Sequence, residues 1–149
     1  KPNFQVFPVS DLFTNLEQLM RAEIRDRGLD FKSSIEPSSL SLTADPELVE
    51  LILINLLLNA IQALEGREGG RIRLIGKLDG RGNTTIQVCD NGPGILKEVQ
   101  ERIFIPFFTT KQEGSGIGLS LSRQIMRLHS GSLSVQSTPG VETVFTLHF

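Results

Sequence analysis

The chain has 149 residues, 39% of them hydrophobic and 21% charged: enough for one domain with a single sizeable core, and too apolar for a disordered segment. With 15 basic and 17 acidic residues the net charge is −2, which removes the basic footprint that non-specific nucleic-acid binding needs. The single cysteine, Cys89, excludes an internal disulfide and fits a reducing compartment.

In chain order, residues 4–7 read as a short strand before Pro8. Ser10 or Asp11 then opens a helix with Leu12, Leu16, Leu19, Met20 and Ile24 on one stripe, closed by Gly28. Residues 29–35 alternate as a strand that Pro37 breaks, and residues 40–43 form another short one. Asp45-Pro46 opens a long helix, with Asp45 as N-cap and Pro46 at the first helical position; it runs to about Glu65 and stops in a glycine-rich turn. Residues 71–78 and 84–90 are strands joined by the hairpin loop 79–83. Residues 95–113 have no clean period and read as a loop with a helical turn. Residues 116–129 read as a helix, and residues 133–135 and 143–149 as strands around the turn Thr138-Pro139-Gly140. Two adjacent hairpins exclude an all-parallel doubly wound sheet. The most apolar stretch, residues 48–64, is interrupted by Glu50, Asn55, Asn59 and Gln62, so it is expected to be a core helix and not a membrane span. No repeat, signal peptide or targeting motif is visible. The chain opens on Lys1-Pro2-Asn3 without an initiator methionine and reads as a piece of something longer.

Four segments carry candidate chemistry. On the long helix, Asn55, Asn59 and Gln62 stand at i, i+4 and i+7, one face of an otherwise apolar helix. An unpaired buried amide costs about 1–3 kcal/mol, so the stripe needs partners. They are either each other, in a core ladder, or a nucleotide whose Mg²⁺ suits hard amide oxygens. Asp90-Asn91-Gly92-Pro93-Gly94-Ile95 follows an apolar strand. It is either a plain turn or a carboxylate at a strand mouth that accepts from an exocyclic amine, with glycines that admit a flat ring. Gly114-Ser115-Gly116-Ile117-Gly118-Leu119 runs straight into a helix. It is either a hinge or an anion site of outward-pointing amides on a helix dipole. The spacing is neither the Rossmann pattern nor a P-loop. Between the last two, Phe104, Phe107 and Phe108 cluster ahead of Lys111, either as a satellite cluster that pins the loop or as an exposed docking patch with a lysine that reaches a phosphate.

Taken in order, these segments resemble the catalytic ATP-binding domain of bacterial sensor histidine kinases, from Asp45 through Thr143. NLLLNAIQA at residues 55–63 resembles the N box, DNGPGI at 90–95 the first glycine box, residues 104–108 the F box, and GSGIGL at 114–119 the second glycine box. The resemblance implies an α/β sandwich, a mixed and largely antiparallel sheet packed on three helices, with ATP under a mobile lid at residues 94–114. It implies Asn59 as the Mg²⁺ ligand and Asn55 as a catalytic residue that supports the phosphates, with Gln62 and Ala63 beside the nucleotide. Gln62 departs from the pattern, since many members carry a basic residue there. Asp90 would read the adenine amine, with Gly92, Gly94 and Ile95 near the ring and Thr143 near the base. Lys111 matches a lid lysine that some members point at the γ-phosphate, a second catalytic residue. Gly114, Ser115, Gly116, Ile117, Gly118 and Leu119 would cradle phosphate, and Phe104, Phe107 and Phe108 would dock a partner.

The implied function is binding of Mg-ATP and transfer of its γ-phosphate to a histidine on a separate helical dimerisation domain of the same protein. A response regulator would act downstream. The piece in hand would be a cytoplasmic monomer, without direct membrane contact, of a homodimeric parent that is cytosolic or membrane-anchored, and the acceptor domain would lie upstream. The same fold serves gyrase-type, chaperone and mismatch-repair ATPases, which hydrolyse ATP with a glutamate base four residues before the magnesium asparagine. Here that position is Asn55, and an amide takes no proton from water at neutral pH. Transfer to an imidazole, which needs positioning more than a base, is the better reading; an ATPase or nucleotide-sensing module is the alternative. The only histidines are His129, at a helix end, and His148, in the last strand. Neither has an acceptor context: His129 is expected to serve its helix C-terminus and His148 to sit on a strand surface.

Overall fold

The computed structural model describes residues 1–108 and 118–149. A short strand β1 (Gln5–Pro8) runs into helix α1 (Val9–Asp26), followed by β2 (Asp30–Glu36) and β3 (Ser41–Ala44). Helix α2 (Pro46–Ala63) precedes the hairpin β4 (Arg71–Leu78) and β5 (Thr84–Asp90). A single turn α3 (Lys97–Gln100), helix α4 (Gly118–Leu128), and the hairpin β6 (Ser132–Thr138) and β7 (Glu142–His148) complete the order.

Five strands form one sheet in the order β2-β4-β5-β7-β6. Only β2 and β4 are parallel; every other neighbouring pair is antiparallel. The expected mixed, largely antiparallel sandwich is therefore present, with α1, α2 and α4 as the three long helices among the described residues. The sheet presents Ile72, Leu74, Ile86, Val88, Leu133, Phe145 and Leu147 to the helix layer, all buried. Alternate positions form the polar back face, where the Gln87 amide donates to Thr146 Oγ1 (3.2 Å). One feature had no local signal: β1 and β3 pair with each other in a separate two-stranded sheet, Gln5 opposite Ala44. Their partners lie almost forty residues apart.

Helix α1 starts one residue before the expected Ser10. Pro8 holds extended geometry at the N-cap, with no side chain to cap it. Its buried arc is Val9, Leu12, Phe13, Leu16 and Met20. Leu19, expected on the stripe, is 53% exposed; it falls at the margin of that arc, and Phe13 fills the core instead. Gly28 ends the helix at φ +65°. The amides of Gly28 and Leu29 return to the carbonyls of Arg25 and Ile24 (both 3.0 Å), a closure that favours glycine.

Helix α2 begins as its sequence dictates. Asp45 accepts from the amides of Glu47 (3.1 Å) and Leu48 (3.3 Å), and Pro46 stands at the first helical position. The backbone amide of Asn3 foremost, with those two cap bonds, holds the Asp45 carboxyl below its usual value of 3.8. By length and composition alone α2 could cross a membrane, but Val49, Ile52, Leu53, Leu56, Leu57, Ala60 and Ile61 are buried in the core of this domain. The apolar-all-round expectation needs one correction: Leu51 and Leu58 are 48% and 40% exposed. They share the stripe of Asn55 and Gln62, so α2 has one open face carrying both amides and leucines.

Adjacent leucines should accordingly behave very differently. Leu56→Ala removes a buried side chain and should cost about 2–5 kcal/mol, whereas Leu58→Ala should cost less than about 1 kcal/mol. Urea denaturation of the two variants measures the difference; equal losses would contradict the open face of α2.

Candidate functional site

The open face of α2 meets α4 at one end and the end of β5 at the other. The Asn55 amide donates to Ser122 Oγ in α4 (3.4 Å). The first residue of α4, Gly118, lies against the same side chain, where a Cβ would collide with Asn55 Oδ1. Asn59, one turn further, is half-buried and engaged in an interaction of its own. Gln62 is exposed and Ala63 half-buried.

Asp90 ends β5, and its residue is only 6% exposed. Its Oδ1 accepts from the amide of Gly92 (2.9 Å). A Cβ at Gly92 would stand 2.8 Å from that oxygen and 3.2 Å from the Ala63 side chain and carbonyl. Glycine there lets the turn close over the carboxylate against the last turn of α2. Asp90 thus lies beside Ala63, one helical turn beyond Asn59. The carboxylate at the strand mouth and the amide stripe share one open side of the domain.

The rest of the first glycine segment is fastened to the sheet. Asn91 accepts from the Arg71 amide (2.6 Å) and donates to the Gly69 carbonyl (3.0 Å). Gly94 has φ +75°, and a Cβ there would stand 2.6 Å from the Thr138 carbonyl. The Gly140 amide donates to the Pro93 carbonyl (2.6 Å). This glycine therefore has a packing reason, the tip of the β6–β7 hairpin, beside any role at a ligand.

Ser137 is the hub of that fastening, a role with no local signal in its strand of small polar residues. Its hydroxyl donates to the Glu142 carbonyl (2.7 Å) and accepts from the Ile95 amide (2.8 Å). Thr143 Oγ1 lies 3.0 Å away. With the Ser137 hydrogen spent on Glu142, Thr143 supplies the hydrogen of that contact. Thr143 is buried and directly opposite Asp90 across β5 and β7, so the segment after Asp90 is tied to the strand beside Asp90.

The phenylalanine cluster divides. Phe104 and Phe108 pack on the core, and the Arg123 guanidinium sits 4.7 Å from the Phe104 ring centroid. Phe107 points outward, 76% exposed, at φ +69°. Leu121 and Leu128, two turns apart on α4, are also exposed. Lys111, Gly114, Ser115, Gly116 and Ile117 lie outside the described residues; Gly118 and Leu119 are half-buried at the start of α4. Among the described residues no group of three or more His, Cys, Asp or Glu side chains could hold a metal. A cation here would rest on amide oxygen and on the phosphates it accompanies. That donor set fits Mg²⁺, which keeps several waters and takes few protein ligands. Burial foremost, then the carboxylates of Glu142 and Asp90, pushes the Cys89 thiol up, so it is a poor nucleophile.

The histidine kinase-, DNA gyrase B- and HSP90-like ATPase family matches residues 44–149, the stretch that contains every described feature of this site. The chain belongs to that family. Among relatives, it is 41% identical over 119 residues to the signal transduction histidine-protein kinase AtoS of Escherichia coli (strain K12), covering 80% of this chain and 19% of that protein. It is 32% identical over 145 residues to the sensor histidine kinase ZraS of Klebsiella oxytoca, covering 97% of this chain and 31% of that one. The chain thus spans a minor part of the curated relatives it matches. The catalytic domain of the histidine kinase ThkA superposes with a TM-score of 0.84 at 31% identity, covering 98% of this chain and 97% of that one. A structure of ThkA in complex with the response regulator protein TrrA matches with a TM-score of 0.81, over 99% of this chain and 42% of that one. The fold is that of the histidine kinase catalytic domain.

Ser137 gives this ATPase-family site a test outside its motifs. Ser137→Ala removes three polar contacts at once and should cost about 1–3 kcal/mol in urea denaturation, and ADP affinity should fall as the segment after Asp90 loosens. Wild-type stability and affinity together would show that the hydroxyl is dispensable.

Proposed function

We propose that this chain binds Mg-ATP on the open face of α2 and donates its γ-phosphate to a histidine on a separate dimerisation domain of its parent protein, as one step of two-component signalling. The observation that carries the reading is the placement of Asp90. A carboxylate held nearly out of solvent at the end of β5, one helical turn from the asparagine pair, has acceptor capacity beyond the Gly92 amide it already meets and can serve a donor seated at the strand mouth. The exocyclic amine of adenine is such a donor. Base at Asp90 and phosphates toward Asn59, Asn55 and the start of α4 is the orientation that uses every motif. Gly92, Gly94, Ile95 and Thr143 would border the base, with Gln62 and Ala63 beside it.

In this reading Asn59 would hold Mg²⁺ and Asn55 would support phosphate oxygens; the ion, when bound, would supply neutralisation of phosphate charge. Asn55 is tied to α4 through Ser122, so it orients rather than abstracts a proton. Transfer to an imidazole requires positioning and charge stabilisation, with no base from this domain. That favours kinase over ATPase chemistry. Lys111 would steady the γ-phosphate, and Gly114 to Leu119 would supply phosphate-facing amides. The exposed ring of Phe107 would contact the acceptor domain. Phe104 and Phe108, which pack on the core, would hold that loop in place. The ThkA complex with TrrA supports a response regulator downstream.

Three measurements test the reading. Asp90→Asn should weaken ADP by about 2 kcal/mol or more, read by calorimetry; unchanged affinity would refute the base contact. Asn59→Ala should lose far more affinity with Mg²⁺ present than in EDTA, and equal losses would make Asn59 structural. With labelled γ-phosphate, the chain should label a histidine-bearing helical domain of its parent supplied in trans, with acid-labile product. Phe107→Ala should slow that labelling while sparing ADP affinity. Brisk hydrolysis without protein labelling would place the chain among the ATPases.

A further inference from the structure

His129 stands outside every motif used so far, yet both of its ring nitrogens are committed. The backbone amide of Asp45 donates to Nε2 (3.1 Å). That makes Nε2 an acceptor and leaves the ring hydrogen on Nδ1, which donates to the Ile125 carbonyl (2.8 Å). The ring therefore closes the last turn of α4 and grips the N-cap residue of α2 with the same side chain. Phe4 stacks on it (5.2 Å between centroids, 30°) and Phe149 meets it edge-on (6.3 Å, 88°). Asp45 is itself held by the Asn3 amide on Oδ2 (2.8 Å) while Oδ1 caps α2.

The two helices so joined are the two that carry the asparagine stripe and Gly118. Asp45 meets His129 at one end, while Asn55 meets Gly118 and Ser122 at the other, so α2 and α4 run antiparallel between two pins. Helix α4 has 11 residues, about 15 Å at 1.5 Å per residue. A tilt of about 4° over that length moves its far end by about 1 Å, a displacement large enough to matter where groups must be aligned.

We infer that His129 is a positioning residue for the phosphate side of the nucleotide site: by locking the end of α4 to the N-cap of α2, it fixes where the start of α4 lies against Asn55. The inference rests on the function proposed above. It predicts an uneven effect. Adenosine is recognised around Asp90, at the far end of α2, and should not depend on His129. ADP adds the phosphates that α4 serves, and should.

The test compares adenosine and Mg-ADP affinities by calorimetry in wild type, His129→Phe and His129→Gln. H129F keeps a ring against Phe4 but leaves the Asp45 amide without its acceptor. H129Q keeps an acceptor directed at that amide. With wild-type circular dichroism below the melting transition, H129F should bind Mg-ADP about tenfold more weakly and adenosine within twofold of wild type. H129Q should recover Mg-ADP to within threefold. Parallel losses for both ligands, or no loss for either, would overturn the positioning role. Should H129F melt below the assay temperature, Phe4→Ala, at an exposed site that unseats the ring, carries the same comparison with an expected threefold loss confined to Mg-ADP, and a loss shared with adenosine overturns the inference. Wild type that binds neither ligand would remove the nucleotide reading itself, an outcome distinct from a selective or non-selective variant.

Discussion

A carboxylate can be taken nearly out of water only if donors meet it, and the placement of Asp90 governs much of the surrounding structure. Its residue keeps 6% of its surface exposed, and the chain must turn at once so that the Gly92 amide can reach back to it. That turn closes tightly because Gly92 has no side chain to press on the Asp90 oxygen and crowd Ala63. The same requirement fixes the distance between β5 and the last turn of α2, and with it the position of the asparagine stripe. The motif is thus first a solution to a burial problem, with desolvation of the acid as the term to be offset.

Around that point the structure is a set of fastenings between elements distant in sequence. Asn91 sews the turn to β4, Ser137 sews its continuation to the β6–β7 hairpin, and Gly94 lies on the hairpin tip. Asn55 and His129 pin α2 to α4 at two heights. None of these bonds is strong alone, each contributing about 0.5–1.5 kcal/mol net. Losing Asn91, Ser137 or His129 leaves a backbone amide without its acceptor, which costs more than the bond itself.

Local chemistry made much of the fold readable from the amino-acid order. Asp45 and Pro46 start α2 where a cap and a proline should, and β4 and β5 have the bounds their alternation and flanking glycines imply. What was not readable depends on partners far along the chain. Nothing near Gln5 announces pairing with Ala44. A helix apolar on every side gives no sign that Leu58 faces out while Leu57 faces in. The phenylalanines looked alike, and only packing separates Phe107 from Phe104. Of the site, the asparagines and Asp90 stood out because polar residues in apolar stretches demand an explanation. Ser137, one serine in a strand of small polar residues, did not.

Strand β7 comes after every other strand of the sheet in sequence, yet it lies inside that sheet, between β5 and β6. A chain emerging from a ribosome can form the β4–β5 hairpin early, but β5 then waits with one edge bare. That edge closes only when residues 142–148 arrive, and β6 has no place in the sheet before them. Thr143, Phe145 and Leu147 are buried, so the core on the α4 side also waits. Folding of this domain is therefore gated by its final strand, with a long-range contact that local propensity cannot hurry. Until then the nascent chain displays an open strand edge, the kind of surface on which chaperones and aggregation compete.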